Sequence, residues 1–325
     1  MEWTADVAAG DWLRGLLDDP WRGTVHDVIP RGFAAYARVL HPAWRDRPVG
    51  VPWPPLPYAA HAREWEAFQA SRPEIDVERT TWARAAAAFG TTLHPEAQWH
   101  RLVGPGIVVP HEDGPRDAEG WRYSDPGVGQ LDADVLAALA EVLAAHTGTP
   151  DAGRLAVWEG WGGLVGGMGY GPSRVLFTIG DEQGEDPRHG AFLRSAARDA
   201  LNDVFRQPTW QPGALPDDVS RGPRLRLPAR DHVLFRAGAS ELADPEWPSR
   251  APWHDLDAPG MATESPSLLW PDDHAWVLAT DVDLDSTIVG GSAVLVDALC
   301  ADPRFEALPL RAGADLTSEG DRLNP

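Results

Sequence analysis

Apolar and polar positions recur with different periods in the two halves of the chain. Over the first 150 residues the spacing is mostly helical. Phe33, Tyr36, Ala37 and Leu40 recur at i, i+3, i+4 and i+7, and Pro42 stops that segment. Trp65 and Phe68 mark a second helix ahead of Pro73, and Trp82, Ala85, Ala86 and Phe89 a third, ended by Gly90. The clearest helix covers about 131–146, with Leu131, Val135, Leu136, Leu139, Val142, Leu143 and His146 on one face. Asp132 and Asp134 suit the positive end of its dipole, and Gly148 and Pro150 end it.

Beyond residue 150 the pattern shortens to that of strands. Leu155–Trp158, Val175–Ile179 and Val233–Phe235 read as short strands, and Leu225 and Leu227 alternate with Arg224 and Arg226. The stretch 275–285 alternates most cleanly: Trp276, Leu278, Thr280, Val282 and Leu284 on one face, Asp281, Asp283 and Asp285 on the other. Ser292 then caps a helix carrying Leu295, Val296, Leu299 and Cys300, stopped by Pro303. The expected fold is α+β, a helix-rich N-terminal half packed on a mainly antiparallel sheet from the C-terminal half. The corresponding regions are 1–150 and 151–325, separate or one continuous domain. A Pro/Gly-rich stretch, 104–130, reads as a long loop that Trp121 and Tyr123 pin down.

Composition narrows the chemistry. The 49 acidic and 28 basic residues leave a net charge of -21, which disfavours a nucleic-acid partner, and no basic block is present. Every basic side chain is arginine, a bias that fits a GC-rich genome. Without lysine there is no Schiff-base anchor for pyridoxal chemistry, no Walker A loop and no kinase-type lysine, and no cofactor is expected. The single cysteine, Cys300, forms no internal disulfide and reads as a buried small hydrophobe. The acidic start Met1–Asp6 lacks a basic n-region followed by an apolar run, and no segment is apolar enough to span a bilayer. A cytoplasmic protein without a membrane partner is expected.

Few motifs carry chemistry. Asp283-Leu284-Asp285-Ser286-Thr287-Ile288-Val289 resembles the first motif of haloacid-dehalogenase-type phosphatases, in which an aspartate ending an apolar strand attacks phosphorus. Only about 40 residues follow it here, and the basic residue usually supplied by lysine has no counterpart. A calcium loop on Asp281, Asp283 and Asp285 lacks its glycine and its glutamate. A divalent site that adds Asp272 or Asp273 remains an alternative. The glycine-rich run 159–171 lacks G-x-G-x-x-G spacing and reads as a hairpin-like connection. No H-E-x-x-H pair or G-x-S-x-G elbow occurs.

The 16 tryptophans stand out. Most serve as core or loop anchors, Trp53, Trp247 and Trp270 each just before a proline. Trp158 and Trp161 flank Glu159 beside the glycine-rich run, and with Trp121 they form the candidate ligand or partner surface.

Segments 31–42, 157–163, 270–276 and 279–292 together resemble an uncharacterised actinobacterial protein family. The resemblance implies a cytoplasmic bacterial protein and carries over no catalytic residue. The expected function is a non-enzymatic binding or interaction protein with a protein or small-molecule partner. The alternative is a carboxylate- and metal-dependent hydrolase or phosphatase.

Overall fold

The structure is a computed structural model that describes residues 1–20, 22–104, 114–169, 208–254 and 263–324. The expected strand Val175–Ile179 lies outside these residues. The chain forms two compact units: Met1–Trp158 with Pro223–Pro325, and Glu159–Gly222.

Fourteen strands are present among the described residues, in chain order β1 (Glu2–Trp3), β2 (Ala35–Leu40), β3 (Ala43–Pro48), β4 (Ile75–Thr80), β5 (Arg122–Ser124), β6 (Gly153–Trp158), β7 (Gly167–Gly169), β8 (Thr209–Gln211), β9 (Leu225–Arg226), β10 (Asp231–Arg236), β11 (Leu268–Pro271), β12 (Val277–Ala279), β13 (Ser286–Gly291) and β14 (Ala307–Leu310). The larger unit is built on a nine-stranded antiparallel sheet in the order β1-β10-β6-β11-β12-β13-β2-β14, with β9 also paired to β10. A second antiparallel sheet, β4-β3-β5, follows directly from β2. The smaller unit contains the β7–β8 pair and a short helix, Asp217–Ser220.

This architecture overturns the expected helix-rich N-terminal half. The first half contributes strands to both sheets, and its helices are short and scattered. The decisive misreading is 33–40, which is strand β2 and not a helix. From Tyr36 to Leu40 every β2 residue is buried, flanked by β13 and β14. A strand covered on both faces is a continuous apolar run without a period of two, so a helical spacing can be picked out of it by accident.

Other expectations stand at the level of local chemistry. Helices span Ala62–Ser71, Trp82–Phe89 and Ala133–Ala144. The second ends on Gly90 at φ 71°, a left-handed cap that glycine adopts without cost. Ser292 caps Ala293–Ala301 by accepting the Leu295 N–H at 3.1 Å. Cys300 is a correction: it lies on the partly open side of that helix and is half-buried. No helix among the described residues is long and apolar enough to cross a membrane.

Strand alternation gives the large sheet two apolar faces. One packs Tyr36, Ala156, Leu234, Leu268, Trp270, Ala279 and Ile288 against Leu13, Val25 and Ile29 of the N-terminal segment. The other meets the helices, where Trp276 donates its indole N–H to the Leu143 carbonyl at 3.0 Å. A further core, with Trp82, Trp99, Trp121 and Tyr123, closes the small sheet.

Two buried polar groups tie these layers. Arg38 on β2 is 1% exposed. It donates to Ser286 Oγ at 2.9 Å, to the Pro95 and Ala97 carbonyls at 3.1 and 2.7 Å, and to Asp285 Oδ1 at 3.1 Å. His41, fully buried just after β2, donates from Nδ1 to the Gly127 carbonyl. Its Nε2 then accepts from Thr287 Oγ1 at 3.0 Å, and Thr287 pairs with Thr280 at 2.8 Å. Removing Arg38 strands Asp285 and two carbonyls, so Arg38→Ala is expected to cost about 3–5 kcal/mol. Urea unfolding checks this, and a loss below about 1 kcal/mol would show the arginine is dispensable.

Candidate functional site

A concave site lies in the larger unit, where two hairpin turns face the N-terminal segment. Pro228 and Ala229 turn the chain from β9 into β10 and leave Arg230 just ahead of the strand. The other turn joins β12 to β13. Asp281 Oδ1 accepts the Asp283 N–H at 3.0 Å, and the Asp281 carbonyl accepts the Leu284 N–H at 3.0 Å. The apparent strand 275–285 is therefore a hairpin: β12 stops at Ala279 and β13 begins at Ser286. Alternation persisted in the sequence because the turn aspartates continue it by chance.

Arg230 links the two turns. Its Nε and Nη2 donate to Asp281 Oδ2 and Oδ1 at 3.1 and 3.2 Å, and Nη2 also donates to Asp283 Oδ2. The guanidinium lies 4.9 Å from the Trp158 ring centroid. Burial alone would lower the Arg230 pKa, but its bonds to Asp281 and the two carboxylate charges raise it, so it stays a fixed cation.

Beside this group is a pocket of about 330 Å³, lined by Thr24, Asp27, Asp283, Leu284, Leu316 and Thr317 among others. A tighter chamber of about 30 Å³ adjoins it, sharing Asp27, Val28, Ala229, Arg230 and Asp281 as a common wall. Ser267, Thr280 and His232 also line the chamber. His232 on β10 stands opposite Trp158 on β6 and is 5% exposed, and its Nδ1 has no hydrogen-bond partner among the described residues. Burial drives its pKa down to about 4 against the pull of Asp281, so the ring is neutral at pH 7. Asp27 Oδ2 accepts the Gly23 N–H at 2.8 Å, while Oδ1 is buried and has no partner among the described residues.

The five candidate metal-ligating aspartates are dispersed. Asp281 and Asp283 hold Arg230, and Asp285 holds Arg38. Asp272 accepts from Arg154 Nη1 at 2.8 Å. Asp273 accepts from Thr147 Oγ1 and the Gly148 N–H at 2.8 and 2.7 Å. Asp272 and Asp273 lie in the β11–β12 turn, at the opposite end of β12 from Asp281 and Asp283. No cluster of three or more His, Cys, Asp or Glu among the described residues could hold a metal ion.

The candidate aromatic surface draws on residues of both units. Trp158 ends β6 in the larger unit, half-buried against Arg230. Glu159 and Trp161 belong to the smaller unit, where the Trp161 carbonyl accepts the Leu164 N–H at 3.1 Å. Trp121 is buried beside β5, its ring 4.0 Å from the Arg45 guanidinium carbon and 4.4 Å from that of Arg47. It is an internal partner of two arginines instead of an open surface. Asp27, Arg230 and His232 were not singled out from sequence. A histidine beside the apolar triplet 233–235 was the one available signal, since a strand buried on both faces also buries its polar member.

His41 and His232 make stability depend on pH. Burial lowers both to about 4 from an ordinary 6.5. Between those values the unfolded chain takes up protons that the folded one refuses, so stability is full above pH 6.5 and falls as pH drops toward 4. At about 1.4 kcal/mol per unit, the two together remove on the order of 7 kcal/mol. Urea unfolding at pH 7, 5.5 and 4.5 measures this, and a His41→Asn/His232→Asn variant is expected to be nearly flat over that range. An unchanged slope in the variant would assign the acid lability to other groups.

Against known proteins this geometry has no template: no protein-family model, curated protein or solved structure matches the chain.

Proposed function

We propose that the protein is a non-enzymatic binding protein that holds a small molecule in the pocket beside Arg230. The observation that supports this most is the pocket itself. At about 330 Å³ it falls within the size class of small-molecule sites, and it combines apolar walls (Val28, Leu284, Leu316) with a few convergent polar groups. Arg230, Asp281 and Asp283 on its wall come from two short turns anchored in one sheet and cross-linked by the arginine, which holds that side of the cavity in place before a guest arrives. The carboxylates on which the hydrolase alternative rests do not converge: Asp285 faces Arg38, Asp281 and Asp283 face Arg230, and Asp272 and Asp273 lie at the other end of β12. In this reading the protein works in the bacterial cytoplasm, as the resemblance to an actinobacterial family implies.

A thermal-shift screen of a metabolite library tests the reading with wild type and Ala229→Trp in parallel. Ala229 is an exposed turn residue on the pocket wall, so an indole there fills the cavity without entering the core. A ligand at a hundredfold excess over its Kd stabilises by about 2.7 kcal/mol, a rise of roughly 5 °C for a chain of this size. The expected hit raises the wild-type Tm and not that of Ala229→Trp, and NMR shows it intact after prolonged incubation. A hit converted to product would favour the enzyme reading, and hits indifferent to Ala229→Trp would remove the pocket from the function.

A further inference from the structure

We infer that the pocket beside Arg230 is built for a small organic cation, an alkyl amine or diamine, whose ammonium group lies between Asp27 and Asp283 and whose chain lies along Val28, Leu284 and Leu316. This inference rests on the proposed binding role and adds the chemical class of the guest.

Three observations converge. First, the walls are acceptor-rich. Asp27, Asp281 and Asp283 line the pocket with one guanidinium, Arg230, leaving a formal surplus of two negative charges. An ammonium offers three donors and a positive charge, whereas a carboxylate or phosphate guest would meet three like charges. Second, two buried polar atoms, one on the wall that the pocket shares with the chamber and one in the chamber itself, have no partner among the described residues. They are Asp27 Oδ1 and Nδ1 of His232, whose residue is 95% buried. A buried carboxylate oxygen requires a donor, and carboxylate torsions are broad enough to swing it toward one. His232 is neutral at pH 7 and adds no opposing charge. Third, the protein as a whole carries a net charge of -21, which draws cations toward its clefts and repels anions. The apolar wall then selects amines with a hydrocarbon chain over inorganic cations, which would leave that wall wet.

The test is calorimetric titration at pH 7 with 1,4-diaminobutane, and with its neutral and anionic counterparts 1,4-butanediol and succinate. Wild type is expected to bind one diamine saturably and to ignore the other two. Asp27→Asn and Asp283→Asn are each expected to weaken the diamine tenfold or more. Circular dichroism of the Asp27→Asn protein checks its fold, and Asp283, exposed in its turn, is the safer of the two changes. Ala229→Trp is expected to abolish binding, which separates the pocket from diffuse attraction to an acidic surface. Binding of succinate or butanediol that Ala229→Trp removes would overturn the cation assignment and leave the pocket as a binding site. Diamine binding unaffected by Ala229→Trp, or no binding of any of the three probes, would overturn the inference.

Discussion

The buried guanidinium of Arg38 is the constraint on which the layered arrangement depends. An unpaired charge inside a protein costs far more than a chain of this size has in net stability, so it survives only with its donors matched. Arg38 meets this condition by drawing Ser286 of β13, Asp285 just ahead of it and two carbonyls from the loop at 95–97 onto β2, with the Trp82 ring 5.2 Å away. The strand that carries it then passes through His41 into the small sheet. The Trp82 indole N–H closes the corner on the His41 carbonyl at 2.9 Å. Large sheet, small sheet and the helix Trp82–Phe89 are thus held in register by polar groups that have no tolerable alternative.

The same logic explains which parts of the fold were readable in the chain. The helix Ala133–Ala144 and the Ser292 cap were legible because their causes are local: an apolar stripe, a hydroxyl at a helix start, a proline beyond the end. Strand β2 was not, because its partners β13 and β14 lie some 250 residues away and its burial on both faces erased the period. The acidic run 281–285 was conspicuous, and Asp281 and Asp283 line the pocket beside Arg230. Their role as counter-ions to Arg230 and Arg38 depends on long-range pairing that no local pattern encodes. Asp27 and His232 are ordinary in sequence, and what distinguishes them is a missing partner, a property that exists only after folding.

The tryptophan content also has a physical account different from a recognition surface. Among the described residues, eight arginines lie over aromatic rings, seven tryptophans and Tyr123. These ten contacts exceed the four or five that a chain of about this length ordinarily shows. Trp53 alone receives Arg122 at 3.9 Å and Arg116 at 5.7 Å, within a cluster that includes Trp65 and Phe68. An indole face lets a guanidinium leave water while its edges still donate hydrogen bonds, which suits a fold that carries several half-buried cations.

These stacks couple two compositional biases that look independent. A lysine in place of arginine keeps the charge but loses the flat surface that lies on the indole, so at these eight positions the chemically nearest substitute is a poor one. Codon usage alone would let lysine drift in if the genome's base composition relaxed, and here packing opposes that drift. Loss of an indole, in turn, exposes the arginine it covered. Each pair therefore changes together or not at all, and across diverging sequences its two members would behave as one heritable character.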